Sequence, residues 1–236
     1  MGQSVKDLQG EDILADDGRI GLVDDVYFDD ERWGVRYFVA DTGGWLPGKR
    51  VLLSPASVDP EGSGGNALRV KLTREQVERA PDAESDRPIS RQYEIRHAAH
   101  FGYPYYWGGP LLWGMSATPA GPHGARPSAD PSVSPGREDA EAAAQRAVEE
   151  GDAHLRSSAE VIGYDIEARD GSLGEVEDFI VDEKTWGIRD VVIDTTKWWP
   201  GGHVRISPDD VERIDWENRT MHVRLTRDEL KRAARA

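Results

Sequence analysis

The amino-acid sequence predicts an all-β protein with minor α content, built as two small barrels in tandem. Three observations carry that expectation. Residues 17–80 slide over residues 170–233 without an insertion, and 25 of the 64 aligned positions are identical. Turn signals rich in Gly, Pro and Asp punctuate each copy at strand-length intervals. Each copy then closes on a segment headed by threonine, LTREQVERA from Leu72 or LTRDELKRA from Leu225, with the chemistry of a helix start.

Within a copy the elements follow in order. EDILADDGRIGLVDDVYFD reads as a strand, an Asp-Gly hairpin turn and a second strand, because Asp-Gly supplies the positive φ that a tight hairpin needs. DERWG turns the chain into VRYFVAD, and TGGWLPGK turns it again into RVLLSP. In the second copy IDWENRTMHVRLT is a hairpin with a Glu-Asn-Arg tip, and its counterpart DPEGSGGNALRVKLT has a glycine-rich one. Five or six short strands and a terminal helix favour a small barrel, since closing a sheet removes its exposed edges.

The expected divisions are residues 1–81 for the first repeat, 82–154 for a linker and 155–236 for the second repeat. Inside the linker, 88–101 reads as a short helix and 102–115 (GYPYYWGGPLLWGM) is dense in aromatics. Residues 116–136 are low-complexity, with the composition of a disordered segment, and the alanine-rich, acidic stretch of about 137–150 reads as a helix.

Composition bounds the function. With no cysteine there is no disulfide, thiolate metal site or cysteine nucleophile. The net charge of −15 is spread evenly: 15 acids against 10 bases in 1–80, 11 against 6 in 81–154, and 18 against 13 in 155–236. No basic face is hidden in that distribution, which argues against a nucleic-acid backbone or anionic lipid as partner. The opening MGQSVKDLQGEDILADDG lacks the basic and apolar stretches of a signal peptide, and no run approaches the ~20 apolar residues of a membrane span. The expectation is a cytoplasmic protein with no membrane insertion.

The DG…IG…V.D opening, the W.IR…DT..W.PG..V.ISP centre and the V.V.LTR close resemble the PRC-barrel domain, found in the cytoplasmic part of the photosynthetic reaction centre H subunit and in a ribosome-maturation factor. The resemblance covers both copies, and SRQYE…YYWGGP…WG looks like the connector of bacterial two-barrel proteins. It implies docking or assembly modules rather than enzymes. The membrane helix of the reaction-centre subunit and the extra N-terminal domain of the ribosome factor have no counterpart ahead of the first copy, so neither role transfers.

Several residues are candidates for more than structure. Asp25 and Asp178, Asp29 and Asp182, and Asp41 and Asp194 are matched carboxylates; at strand ends or turns, such groups cap backbone amides more often than they run acid–base chemistry. Arg36 and Arg189 lie mid-strand, as anion contacts or, more in keeping with their apolar neighbours, paired with a nearby aspartate. His97 and His100 stand at i, i+3 without further ligands at metal-site spacing, which favours a surface or interface pair. Trp33, Trp186, Trp45 and Trp198 are expected to fill or plug the barrels. Tyr103, Tyr105, Tyr106, Trp107 and Trp113, with Trp199, either pack on the chain's own barrels or form a docking patch.

The leading expectation is a non-enzymatic scaffold for a protein partner, with no cofactor or metal and with a homodimer as one form. The alternative is a small-molecule or anion binder, or an enzyme, in a cleft between the barrels lined by Arg36, Arg189 and the aspartates. The turns that differ between copies (Gly44 against Lys197, Leu46 against Trp199, Lys49-Arg50 against Gly202-His203) are the places singled out for function.

Overall fold

The computed structural model describes residues 2–47, 49–59, 67–82, 89, 91–107, 109–119, 155–197 and 202–233. Trp198, Trp199, residues 120–136 of the low-complexity segment and the expected helix at about 137–150 lie outside them.

The chain is mostly β. The first copy contains β1 (Gly2–Ser4), α1 (Val5–Leu8), β2 (Asp12–Ala15), β3 (Gly18–Asp29), β4 (Gly34–Asp41), β5 (Arg50–Leu53), β6 (Ala67–Arg69) and α2 (Arg74–Glu78). The linker contributes α3 (Arg91–Phe101). The second copy repeats the plan with β7 (Leu155–Ser157), α4 (Ser158–Val161), β8 (Asp165–Ala168), β9 (Gly171–Asp182), β10 (Ile188–Asp194), β11 (His203–Ile206), β12 (Val211–Asp215), β13 (Thr220–Val223) and α5 (Arg227–Ala233). One sheet runs β5-β4-β3-β2-β6 and the other β11-β10-β9-β8-β13-β12, and among the described residues neither ladder closes into a ring.

Local chemistry explains the expected elements. Gly18 and Gly171 take φ of +146° and +125° in the two Asp-Gly turns. The aspartates of those turns reach further than the hairpin: Asp17 accepts from the Arg74 amide and Asp170 from the Arg227 amide, both at 2.8 Å. Each terminal helix therefore starts on its own barrel's first turn. Thr73 with Gln76, and Thr226 with Glu229, complete reciprocal capping boxes. Gly21 and Gly174 are required by close approach, since a Cβ there would stand 1.9 Å from the Asp41 carbonyl oxygen or 2.0 Å from that of Asp194.

The first strand of each copy does not pair with its own copy. β1 runs antiparallel to β9, with Gly2 opposite Asp182, and β7 runs antiparallel to β3, with Leu155 opposite Asp29. The repeats thus exchange their opening segments, and the two exchanges are related by the same 153-residue offset as the sequence. At the centre of the junction Gly34 bridges Gly187. The Val35 amide donates to the Trp186 carbonyl at 2.8 Å, and the Ile188 amide donates to that of Trp33 at 2.7 Å. Trp33 and Trp186 hold φ of +53° and +56°, a conformation unusual for a bulky side chain. Buried residues of both copies form one contiguous apolar cluster, which Phe101, Tyr103, Tyr106 and Trp113 of the linker join.

The expectation that Trp33 and Trp186 fill or plug the barrels holds in that Trp186 enters the buried apolar cluster and Trp33 packs against it, but the cluster is shared between the copies. Trp186 packs edge-on to Phe38 of the first copy at 4.9 Å, and Trp33 stacks on Phe28 and reaches Phe179 of the second at 6.5 Å. Trp45 lies at the edge of the core under the Arg74 guanidinium, 4.3 Å from its ring centre.

Candidate functional site

The matched aspartates divide by position. Asp25 and Asp178 are not at strand ends, as expected, but in the middle of β3 and β9, 9% and 8% exposed. Each binds the segment donated by the other copy. Asp25 accepts from the Ser157 hydroxyl at 2.5 Å, the Ser158 hydroxyl at 3.0 Å and the Ala159 amide at 3.0 Å. Asp178 accepts from the Ser4 hydroxyl and from the Lys6 amide at 3.1 Å. Ser4 and Ser157 are themselves the N-caps of α1 and α4, accepting from the Asp7 and Glu160 amides. A helix start in one copy is therefore closed by a carboxylate of the other.

Asp29, Asp41, Asp182 and Asp194 do cap turns within their own copies. Asp29 accepts from the Glu31 and Arg32 amides, and Asp182 from those of Lys184 and Thr185. Asp41 accepts from the Gly43 amide and Asp194 from the Thr196 amide. These amide bonds hold the Asp182 and Asp194 carboxyls below the usual aspartate value, the Thr185 and Thr196 amides contributing most.

Arg36 and Arg189 part company. The Arg36 side chain is wholly buried, pairs with Asp29 at 3.1 Å and donates to the Leu112 carbonyl at 2.6 Å. Its guanidinium lies 3.9 Å from the Tyr106 ring centre and 5.0 Å from that of Trp113. Arg189 is exposed. The linker covers the first, so the two arginines have different surroundings.

The aromatic linker is a clasp on the first barrel. Tyr103, Tyr106 and Trp113 are buried, while Tyr105 and Trp107 are half-buried. The Tyr106 hydroxyl donates to Glu94 at 2.6 Å, as does that of Tyr37 at 3.2 Å. Ile89 and Tyr93 pack on Tyr37, Val39 and Leu52 of the outer sheet face. The Trp113 indole donates to the Thr185 carbonyl at 2.7 Å, and Arg32 donates to the Gly109 and Leu111 carbonyls at 2.8 Å, so the stretch is held by both copies. Leu112 sits over Gly34 and Gly187 together.

His97 and His100 do not share a face toward one ligand. Of the surface or interface pair expected, His97 is buried where the linker helix meets the sheet, its Nε2 bonding the Leu52 carbonyl at 2.7 Å, and exposed His100 meets the Gln76 carbonyl at 3.0 Å. Burial lowers His97 to about 4.

The residues that decide where the linker docks escaped the sequence reading. Tyr37 and Leu52 of the covered face correspond to Asp190 and Arg205 in the second copy, where the same face is polar. A comparison of strand positions between copies, rather than of turns, contains that signal.

A cleft between the barrels does exist, with a volume of about 280 Å³. Its lining is Asp30 and Trp33 from the first copy, Arg156 from the exchanged strand, and Val211, Glu212, Arg213 and Ile214 from β12. Arg156 pairs with Asp30 at 2.6 Å within that lining. None of Arg36, Arg189, Asp25, Asp41, Asp178 or Asp194 contributes.

The two-copy β architecture agrees with a family comparison in which the PRC-barrel domain model matches residues 2–77 and 154–230. The chain belongs to the PRC-barrel family. Both matched ranges include the opening segment that the structure shows exchanged. A comparison with curated proteins finds no match. No helix among the described residues is long and apolar enough to cross a membrane.

Proposed function

We propose that this tandem PRC-barrel protein is a non-enzymatic, cytoplasmic scaffold that holds a protein partner. The observation that carries the reading is the clasp: it buries most of its rings yet displays Leu111 and Met115, 45% and 78% exposed, beside the junction. Apolar side chains held out on an anchored turn are a feature of docking surfaces. The exchanged segments and shared core beneath them supply a rigid platform.

The test is a crosslinked pull-down comparing the intact protein with Leu111→Ser/Met115→Ser. Loss of a specific partner supports the scaffold, and an unchanged partner list overturns docking through the clasp. These exposed positions are better probes than Trp107 or Trp113, whose removal disturbs the clasp itself. The reading as a small-molecule or anion binder has one observation in its favour, the presence of a cleft of about 280 Å³ between the barrels. It predicts a rise in melting temperature with a metabolite or simple anion.

A further inference from the structure

The cleft has a property that its volume does not convey. Four consecutive residues of β12 line it, although side chains on a strand alternate between two faces. A cavity touched by all four runs along the strand's edge. β12 ends its sheet, and among the described residues its sole strand partner is β13. A register shift lies between Val211 and Arg213, leaving Glu212 outside the pairing with β13. The opposite wall is Trp33, half-buried, and the Asp30–Arg156 pair.

We propose that this cleft accepts an extended cationic segment of a partner protein as an added strand on β12. The proposal rests on the scaffold reading and names the chemistry of one partner contact. Backbone groups of β12 supply the pairing, and Trp33 with Ile214 supplies an apolar wall for alternate side chains. Charge selects the sign. Of the two bases in the lining, Arg156 is paired with Asp30 at 2.6 Å and Arg213 faces Asp215 at 3.9 Å, which leaves the exposed Glu212 at the rim to set the sign, and the whole chain carries −15. The bulge and the charged pair on β12 oppose flat sheet-to-sheet association, while a walled cleft admits a single strand. The first copy departs here in sequence, with Pro60 where the second has Arg213, and proline has no amide to offer an added strand. Only the assembled chain makes the site, since the two barrels and the exchanged strand each contribute a wall.

The experiment pans a phage-displayed library of random heptapeptides on the intact protein, with Glu212→Pro as the counter-selected variant. Residue 212 has no register partner on β13, so of the four lining positions it is the one where proline least disturbs that ladder while it opposes an added strand. The expected result is enrichment of sequences alternating Lys or Arg with apolar residues. Their affinity falls about 10-fold or more on Glu212→Pro and rises about 2- to 5-fold on the exposed charge reversal Arg213→Glu. A synthetic version with alternate amides N-methylated loses binding. Enrichment that is equal on both proteins, binding indifferent to N-methylation, or no enrichment at all overturns the proposal. So does a dimer crosslinked through residues 211–214, which identifies a second copy as the occupant. If the panning fails while the pull-down still depends on Leu111 and Met115, the cleft assignment falls and the scaffold reading stands.

Discussion

Replacing Asp25 with alanine should loosen a segment that begins 130 positions further along the chain. Its carboxylate receives the Ser157 and Ser158 hydroxyls and the Ala159 amide, and Ser158 is 1% exposed. Removing the acceptor strands two or three donors, at about 1–3 kcal/mol each before relaxation, and opens the first turn of α4. We expect a loss of about 2–4 kcal/mol in urea unfolding. Asp25→Asn retains one acceptor oxygen and should cost about 1 kcal/mol. Hydrogen exchange locates the effect. Amides of 155–161 should exchange faster in Asp25→Ala while those of 2–8 keep their protection, and Asp178→Ala should show the reverse. A uniform change across both segments, or protection lost only around residue 25, would refute the exchange argument.

Arg36→Ala should cost about 3–5 kcal/mol, because Asp29 stays buried without its partner, whereas Arg189→Ala should stay within about 0.5 kcal/mol; urea midpoints of the two variants check this. His97 is held at about 4 against an ordinary 6.5, so the unfolded chain takes up the proton first. Its contribution to stability is fully present above pH 6.5 and lost as the pH falls toward 4, a total of about 3 kcal/mol. His97→Gln keeps a donor for the Leu52 carbonyl without titrating, and its stability should be flatter over that window in urea titrations at stepped pH. Gly21→Ala and Gly174→Ala should each lower the melting temperature, since the added methyl meets a backbone carbonyl that cannot rotate away.

Much of the fold was legible in the residues. The Asp-Gly turns, the threonine caps and the unbroken register between copies are local signals, and the structure places strands and terminal helices where they fall. What escaped is non-local. Asp25 and Asp178 read as turn aspartates because a sequence does not show that a helix start from the other copy arrives at mid-strand. Trp33 and Trp186 read as filling or plugging the barrels one by one because nothing in the pattern places the two turns face to face. Arg36 and Arg189 look equivalent until Tyr37 against Asp190 and Leu52 against Arg205 make one face apolar and the other polar. The cleft was anticipated but not its lining, which depends on the angle between barrels rather than on a motif.

The central claim is that the two PRC-barrels are joined by exchanged segments and not merely by the linker. It is tested most directly by inserting a site-specific protease sequence after Gly136, cutting the folded protein and running it on size exclusion without denaturant. The account predicts that the two fragments elute together at the volume of the intact chain and separate only when unfolded. Fragments that separate under native conditions would contradict it.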